Sequence, residues 1–369
     1  MNLVMISPYP PTRCGVAKYT QTLVLELAKR VDVSVLSDHN CWRKNSFRAA
    51  FNIFFGVTQE RPKIVHMQFE YLLFGKGEFS LLLLFPVLLF RLFLCRVVVT
   101  MHSVIPSKIL SPNFFQEYTQ SSRLSRLKRF AVFIFTFLLC NICTDRIVAH
   151  TGHSKEILQR DYHVNPEKIR VIPHFSFEKG HSLSPLWCKR VLGLEGKIVL
   201  AQLGFIKPLK GIDLTIKAME FLKNEKMILL VVGDLPPQSF KSEKKYYEEL
   251  VRYTRGRNLP VVWAGYVADD QLPLYLGAAD VFVFPYRDEA SGSSGALNTV
   301  LPYGKAIVAS CIPKFSGLQL FFFEPDNPHD LARKLKEATQ VARAPLLRGY
   351  ELGRAAAEHF SMYADLLQR

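Results

Sequence analysis

Residues 281–310 read VFVFPYRDEASGSSGALNTVLPYGKAIVAS and carry the strongest fold signal in the chain. The β-branched and aromatic run 281–285 ends at a proline and predicts a buried strand. Two acids, three serines and two glycines then precede a helical run that Gly304 closes. A helix N-terminus offers N–H groups and partial positive charge, so this turn suits phosphate oxygens. An ordinary serine-capped turn is the alternative interpretation.

The same alternation of strand-like and helix-like segments occurs in two sets along the 369 residues. The first set of predicted strands covers residues 3–7, 33–37, 64–68, 97–102, 146–150 and 169–174. The second covers residues 198–204, 227–233, 261–266, 281–285 and 306–310. Apolar strands spaced by helices indicate an α/β fold with two doubly wound, Rossmann-like domains. Such sheets bind ligands beyond the carboxyl ends of their strands, so we expect the site in a cleft between the domains.

Ten segments of the chain stand in an order that is typical of one enzyme family. They are ISPYPPTRCGVAKYT, IVHMQFEYLLFG, VVVTMH, RIVAHT, IRVIPHF, LGFIKPLKGIDLTIKAM, VVGD, VVWAGYV, LYLGAADVFVFPY and SGALNTVLPYGKAIVAS. The chain resembles the retaining, GT-B-fold glycosyltransferases of family 4, also called glycosyl transferases group 1. The resemblance covers essentially the whole chain.

This resemblance implies both a domain organisation and an activity. We expect an acceptor-side domain over residues 1–177, a nucleotide-sugar-binding domain over residues 178–345, and a C-terminal helix within 346–369 that packs on the first domain. The implied reaction transfers a hexose, with mannose as one candidate, from a GDP- or UDP-linked sugar to a glycan or lipid-linked acceptor. Neither a cofactor nor a metal is implied, and no DxD pattern stands in a suitable place.

Two residues of the first half are candidates for the site. Gly15 follows the first strand, where a residue without Cβ lets a ligand approach the backbone, and in similar enzymes this loop faces the donor diphosphate and the acceptor. His102 ends the strand VVVT, and in similar enzymes a histidine here contacts the transferred sugar. A turn glycine and a structural histidine are the alternatives.

Cations in the second half are placed to stabilise a leaving diphosphate. Lys207 and Lys210 follow Gly204 and the first strand of this domain. Negative charge on the diphosphate grows as the glycosidic bond breaks, so cations there favour the transition state. Lys210 matches a family cation, whereas Phe205 stands where similar enzymes carry arginine.

The acidic pair of the family is altered in this chain. The positions of its two glutamates hold Ser291 and Thr299, so we expect Glu289, ahead of Asp288, to supply the first acid. Asn298 and Thr299 are expected to share the ribose contact through neutral hydrogen bonds. Further donor contacts are expected from the phosphate turn and from the loop that holds the base in similar enzymes; these residues are Ser293, Ser294, Gly295, Tyr266 and Val267.

The positive charge is concentrated in the first half. Residues 1–180 contain 23 Lys and Arg against 12 Asp and Glu, within a chain of net charge +15. The apolar blocks FSLLLLFPVLLFRLFLCRVVV and FAVFIFTFLLCNIC lie here, the second behind Arg123, Arg126, Lys128 and Arg129. Pro86 and Arg91 interrupt the first block and the second is short of the roughly 20 residues of a membrane span. We therefore expect peripheral attachment to an anionic cytoplasmic membrane face, with burial against the first sheet as the alternative.

Cysteine usage and the start of the chain suggest a reducing, cytoplasmic setting. Seven cysteines are scattered, and the first residues already form a strand instead of a signal peptide. Cys140 and Cys143 form a CxxC inside an apolar run and are expected to be core thiols. No nucleic-acid partner is expected, because the aromatic residues form no stacking motif. A catalytically silent GT-B protein and a pyridoxal-dependent phosphorylase remain the alternative functions.

Overall fold

The computed structural model describes residues 1–12, 14–37, 46–71, 73, 83–110, 125–176, 183–222, 226–236, 239–287, 291–341 and 349–368. The described residues form two compact units. The first comprises the residues up to Phe175, the segment 291–293 and the described residues from Gly349 on. The second comprises the described residues from Ser176 to Arg287 and from Ser294 to Val341.

The strands are short, apolar and mostly buried. In chain order they are β1 (Asn2–Ile6), β2 (Asp32–Leu36), β3 (Ile64–Phe69), β4 (Arg96–Met101), β5 (Ser103–Val104), β6 (Arg146–Ala149), β7 (Ile169–Val171), β8 (Ile198–Leu203), β9 (Met227–Val232), β10 (Val261–Gly265), β11 (Val281–Phe284), β12 (Ser291–Gly292), β13 (Ala306–Ser310) and β14 (Phe321–Phe323).

The helices connect these strands. In chain order they are α1 (Gly15–Leu27), α2 (Ser46–Glu60), α3 (Leu84–Leu89), α4 (Ser125–Leu138), α5 (Gly152–Tyr162), α6 (Pro185–Val191), α7 (Ile212–Phe221), α8 (Lys241–Gly256), α9 (Leu272–Gly277), α10 (Gly295–Val300), α11 (Pro328–Thr339) and α12 (Leu352–Gln368). Two of them, α3 and α4, continue into single π-helical turns, Phe90–Leu94 and Leu139–Cys143.

Each unit is built on a six-stranded parallel sheet. The strand orders are β2-β1-β3-β4-β6-β7 in the first unit and β10-β9-β8-β11-β13-β14 in the second. Strands such as β11 are buried along their whole length, as expected for sheets covered on both faces. The predicted α/β architecture of two doubly wound Rossmann-like domains is therefore confirmed.

Both sheets have a topological switch point, at which successive crossovers reverse their direction. It lies between β1 and β3 in the first sheet and between β8 and β11 in the second. Open α/β sheets bind their ligands beyond the carboxyl ends of the strands at such a point. Functional groups are therefore expected in the segments that follow these four strands.

The direction of each crossover assigns the helices of the first unit to the two faces of its sheet. The connections from β2 to β3, from β3 to β4 and from β4 to β6 cross the sheet in one direction, and the connection from β1 to β2 crosses in the other. Since such crossovers are right-handed, α2, α3 and α4 cover one face. Helix α1 covers the opposite face and packs against α12.

Some local expectations differ from the structure. The strand predicted over residues 169–174 ends at Val171, because Pro173 has no N–H to donate to a neighbouring strand. The antiparallel pair β5 and β12, and the edge strand β14, were not predicted. Pro86 does not break its helix but lies in the first turn of α3, where the missing N–H costs no helical hydrogen bond.

Candidate functional site

The loop after β8 is locked against the segment after β11. Gly211 has a φ of +64°, and a Cβ at this position would lie 1.9 Å from the carbonyl oxygen of Pro285. Only glycine fits this backbone contact. The buried Gln202 also contacts this loop, because its amide nitrogen donates to the Lys210 carbonyl oxygen at 2.8 Å. The two segments at the switch point therefore form one rigid element.

Lys210 lies on an aromatic ring within this element. Its ammonium is 3.7 Å from the centroid of the Tyr286 ring, the geometry of a cation–π contact. Tyr286 is almost completely buried, and its hydroxyl is 3.4 Å from Oγ of Ser294. One side chain thus contacts both the predicted cation and the predicted phosphate turn.

Lys207 has different surroundings. Its ammonium is 3.4 Å from a carboxylate oxygen of Glu243. Glu243 is itself buried, and its second oxygen accepts the backbone N–H of Phe240 at 2.9 Å at the start of α8. The two lysines predicted to act together are therefore held by different partners, a carboxylate for Lys207 and an aromatic face for Lys210.

Arg287 holds the loop that carries Lys210 through hydrogen bonds to residues on both sides of it. The sequence analysis did not single out this arginine. Its guanidinium donates two hydrogen bonds to Asp213, at 2.8 and 2.9 Å, and a third to the Pro208 carbonyl oxygen at 3.1 Å. Burial would raise the pKa of Asp213, but hydrogen bonds from Arg287 and Tyr246 outweigh it and hold this pKa below its usual range. The charged pair fixes the loop to the first turn of α7.

The phosphate turn begins α10 as the sequence predicts. Ser294 caps the helix by accepting the N–H of Leu297 at 3.2 Å, and the space beyond the Cα of Gly295 is open. Thr299 donates to the Gly295 carbonyl oxygen at 2.8 Å, while Asn298 is fully buried. The ribose contacts expected from these two residues stay a prediction. Ser293 is half-buried, and Glu289 lies outside the described residues.

Glycines bring the ends of β8, β9 and β10 together. A Cβ at Gly233 would lie 2.0 Å from the Gly204 carbonyl oxygen, and the Gly233 N–H donates to Gly265 at 3.0 Å. The predicted base loop follows directly. Tyr266 there is exposed, whereas Val267 packs against an apolar cluster that includes Leu230 and Val232.

In the first unit, His102 belongs to a buried polar network. Its Nε2 is 2.9 Å from the Gln68 amide oxygen and its Nδ1 is 3.3 Å from Nε2 of His150. The edge of the Tyr19 ring contacts it at a centroid distance of 4.9 Å. Burial, and then the neighbouring His150, lower the pKa of His102 well below its usual value. The imidazole is therefore neutral at neutral pH.

The network extends to the C-terminal helix. The Tyr363 hydroxyl on α12 is 2.6 Å from Nδ1 of His66, whose Nε2 is 2.7 Å from the Thr100 hydroxyl. Five buried histidines share this region: His66, His102, His150, His174 and His359. Sequence reasoning singled out His102 for function, although His150 and His174 also stand just beyond β6 and β7 and signal the same sheet edge.

Two further segments contact the same edge of the first sheet. Strand β12 pairs with β5 directly after His102, and a Cβ at Gly292 would lie 2.4 Å from the His102 carbonyl oxygen. Gly15 is the first residue of α1, behind the capping Sγ of Cys14, and the space around it is open. Strand β12 is thus tied by its backbone to the residues that follow β4.

Metal-binding clusters and membrane-spanning helices are absent from the described part of the chain. Among those residues, no cluster of three or more His, Cys, Asp or Glu side chains is arranged to bind a metal ion. No described helix combines the length and the apolar character needed to cross a bilayer. Cys140 and Cys143 are buried, and burial raises their thiol pKa values to about 12 and about 11.

Both halves of the chain match models of known families. Residues 14–175 match the model described as Glycosyltransferase Family 4, and residues 197–340 match the model described as Glycosyl transferases group 1. A curated relative, the mannosylfructose-phosphate synthase of Agrobacterium fabrum, is 30% identical over 202 residues, which cover 51% of this chain and 43% of that protein. The match thus spans less than half the length of this relative.

Solved structures resemble the whole chain in fold. A sucrose-phosphate synthase from Thermosynechococcus elongatus superposes with a TM-score of 0.73 at 16% identity, and a glycosyltransferase from Rickettsia africae with 0.69 at 16%. The HepE protein of Anabaena, solved in complex with UDP-glucose, gives 0.66 at 14% identity. Each comparison covers 100% of this chain and 99% of the other.

Proposed function

We propose that this chain, which belongs to the glycosyl transferases group 1 family, transfers a hexose from a nucleotide diphosphate sugar with retention of configuration. The observation that carries the proposal is the contact of Tyr286 with both Lys210 and Ser294 at the switch point of the second sheet. A cation and a helix-capping serine at this place match the needs of a diphosphate. The donor is GDP- or UDP-linked, with mannose as a candidate sugar, and the acceptor is a glycan or a lipid-linked glycan.

The second unit is proposed to hold the donor. Lys210 would face the diphosphate and stabilise the charge that grows on it as the bond to the sugar breaks. The turn of Ser293, Ser294 and Gly295 would contribute hydrogen bonds to the phosphate oxygens. Lys207 is paired with Glu243, and Lys210 is assigned the larger part because it matches the family cation. Tyr266 and Val267 would contact the base, and Thr299 the ribose.

The first unit is proposed to orient the transferred sugar and the acceptor. His102 is fixed by Gln68 and His150, so a sugar hydroxyl would meet a preorganised group instead of a mobile side chain. Gly15 leaves open space at the start of α1. Glu289 is proposed as the acid of the site.

A catalytically silent sugar-binding protein is the second candidate. Phe205 occupies the position of the family arginine and its side chain is partly exposed. Thr299 occupies a glutamate position and bonds to its own helix. Both features remove charge that similar enzymes use, and they therefore favour this alternative specifically.

Turnover of purified protein separates the two candidates. The protein is incubated with UDP-glucose or GDP-mannose, with and without soluble and lipid-linked glycan acceptors. We expect release of nucleoside diphosphate and a product whose anomeric proton, followed by nuclear magnetic resonance, keeps the donor configuration. Binding of a nucleotide sugar without release from any donor would support the silent protein. An inverted product would overturn the retaining mechanism.

Peripheral membrane attachment of the first unit completes the proposal. Its outer helical layer exposes a set of large apolar side chains, here called the aromatic patch: Phe51, Phe55, Phe85, Leu92, Leu127, Phe130 and Ile142. They belong to α2, α3, α4 and the two π turns, which cover one face of the sheet. Lys128 and Arg129 stand between Leu127 and Phe130, so basic groups lie beside the apolar ones, as an anionic bilayer surface requires. The cytoplasmic membrane face is the proposed location.

Liposome flotation tests this attachment. Phe51, Phe55, Phe85 and Phe130 are replaced by serine in one variant, and Leu25→Ser serves as the control, because Leu25 is equally exposed on α1 at the opposite face. The patch variant should stop floating with anionic vesicles, whereas the control should float like wild type. Equal flotation of both variants would show that another surface binds. Absence of wild-type flotation would make the acceptor a soluble glycan.

A further inference from the structure

We infer that Tyr286 is a positioning residue that sets the Lys210 ammonium and the phosphate turn for the donor diphosphate. This inference rests on the proposed function, since it concerns the same nucleotide-diphosphate site. The family resemblance assigned roles to Lys210 and Ser294 but none to Tyr286. Its part follows from the contacts of its ring and its hydroxyl alone.

Tyr286 is rigidly held. Only 1% of its surface is exposed, and its ring packs against Phe284 and Phe315 at centroid distances of 5.7 and 5.5 Å. The preceding residue, Pro285, touches Gly211 through its backbone. The ring therefore has a fixed place relative to the loop that carries Lys210.

The ring offers the lysine a contact that conserves its charge. A carboxylate partner compensates a lysine charge, as Glu243 does for Lys207 at 3.4 Å. An aromatic face attracts the ammonium through its quadrupole and carries no net charge. The ring, whose centroid is 3.7 Å from the Lys210 ammonium, thus contacts this group without itself neutralising its charge.

The Tyr286 hydroxyl also contacts the phosphate turn. It lies 3.4 Å from Oγ of Ser294, and this oxygen also accepts the N–H of Leu297 at the start of α10. A shift of the ring would move the cation and the cap together. Tyr286 therefore couples the two parts of the site, which come from segments 84 residues apart in the sequence.

The loop itself does not depend on Tyr286. Arg287 holds Pro208 and Asp213, and Gln202 holds the Lys210 carbonyl oxygen. Removal of the ring should consequently take away the cation–π contact of the Lys210 ammonium and leave the loop backbone in place. This separation makes the role of the ring measurable.

A double-mutant cycle in nucleotide binding tests the inference. Dissociation constants for UDP and GDP are measured by calorimetry for wild type, Tyr286→Leu, Lys210→Met and the double variant. A cation–π contact of this kind corresponds to about a 2-fold to 30-fold change in affinity. We expect Tyr286→Leu to weaken binding within this range, and the double variant to bind no more weakly than Lys210→Met alone. In that case the Tyr286 ring changes nucleotide affinity only by way of Lys210.

Two control variants separate positioning from packing. Tyr286→Phe keeps the ring and should retain most of the affinity, with only the contact to Ser294 lost. Phe323→Leu shortens a buried aromatic side chain on β14 of the same unit, and it should leave nucleotide affinity close to that of wild type. Melting temperatures of all variants report on the fold.

The outcomes distinguish this inference from the proposed function. If the effects of Tyr286→Leu and Lys210→Met multiply, or if Phe323→Leu is as harmful as Tyr286→Leu, the ring acts through packing and the inference is wrong. Wild-type nucleotide binding without any transfer would remove the proposed function and leave the cycle interpretable. Wild-type protein that binds neither UDP nor GDP would overturn both.

Discussion

Acidification should destabilise the first unit because it buries several neutral histidines. Burial lowers the pKa values of His150 and His359 to about 4, and that of His174 to about 3, from 6.5 in the unfolded chain. The unfolded state therefore binds more protons between these values. Stability is full above pH 6.5 and falls as the pH is lowered toward 4.

The size of the effect follows from the shifts. Near pH 5, a histidine with a folded pKa of about 4 is protonated in the unfolded state and mostly neutral in the folded state. This difference of almost one proton gives the free energy of unfolding a slope of about 1 kcal/mol per pH unit. Between pH 6.5 and about 4, the free energy of unfolding should fall by about 3 kcal/mol because of His359 alone. His359 is the clearest case, because its Nε2 has no hydrogen-bond partner among the described residues.

Urea unfolding followed by circular dichroism measures this slope. The free energy of unfolding is determined at pH 7.5, 6.0 and 5.0 for wild type, His359→Leu and the control His153→Gln. The His359→Leu variant should lose about 1 kcal/mol per pH unit of the dependence between pH 6.0 and 5.0. The control replaces a histidine that is only half-buried, so it shows whether the slope depends on the buried imidazole or on the loss of any histidine. An unchanged slope in His359→Leu would refute the assignment of a neutral buried imidazole.

The remaining predictions concern the second unit. Lys210→Ala should lower kcat by about 2–4 kcal/mol of transition-state stabilisation while nucleotide affinity changes less; unchanged kcat in steady-state kinetics would remove this residue from the mechanism. Gly295→Val should abolish donor binding in calorimetry with the melting temperature retained, because the space at its Cα is open and the valine side chain would occupy the place proposed for the phosphate; normal donor affinity would contradict that place. Gly211→Ala should lower the melting temperature sharply, since its Cβ would overlap the Pro285 carbonyl; a wild-type Tm would contradict that contact.

Local patterns were sufficient to predict most of the sheets. The apolar runs that became β8, β9 and β11 are bounded by glycine or proline, and their spacing leaves room for one helix each, so both strands and connections could be read. The edge strand β14, with the sequence FFF, and the two-residue pair of β5 and β12 were missed. Their stability comes from long-range partners, and so short a segment has no periodicity of its own.

The sequence singles out candidate site residues one by one but not the contacts between them. Lys210, Ser294 and His102 follow strands and stand in segments that resemble the family, and these two signals together made them candidates. The place of Tyr286 beneath Lys210 depends on how two loops pack, and the link from His66 to Tyr363 spans 297 residues. Neither contact can be predicted from the local sequence. Arg287 was overlooked for the same reason, because its partner Asp213 lies in the other loop.

Release of nucleoside diphosphate from a nucleotide sugar tests the central claim most directly. Purified wild-type protein and Lys210→Ala are incubated with UDP-glucose or GDP-mannose in the presence of glycan acceptors, and UDP or GDP is quantified over time. The account predicts acceptor-stimulated release by wild type from one of the donors, and release at least about 10-fold slower by the variant. Equal rates for both proteins, or no release by wild type from either donor, would contradict it.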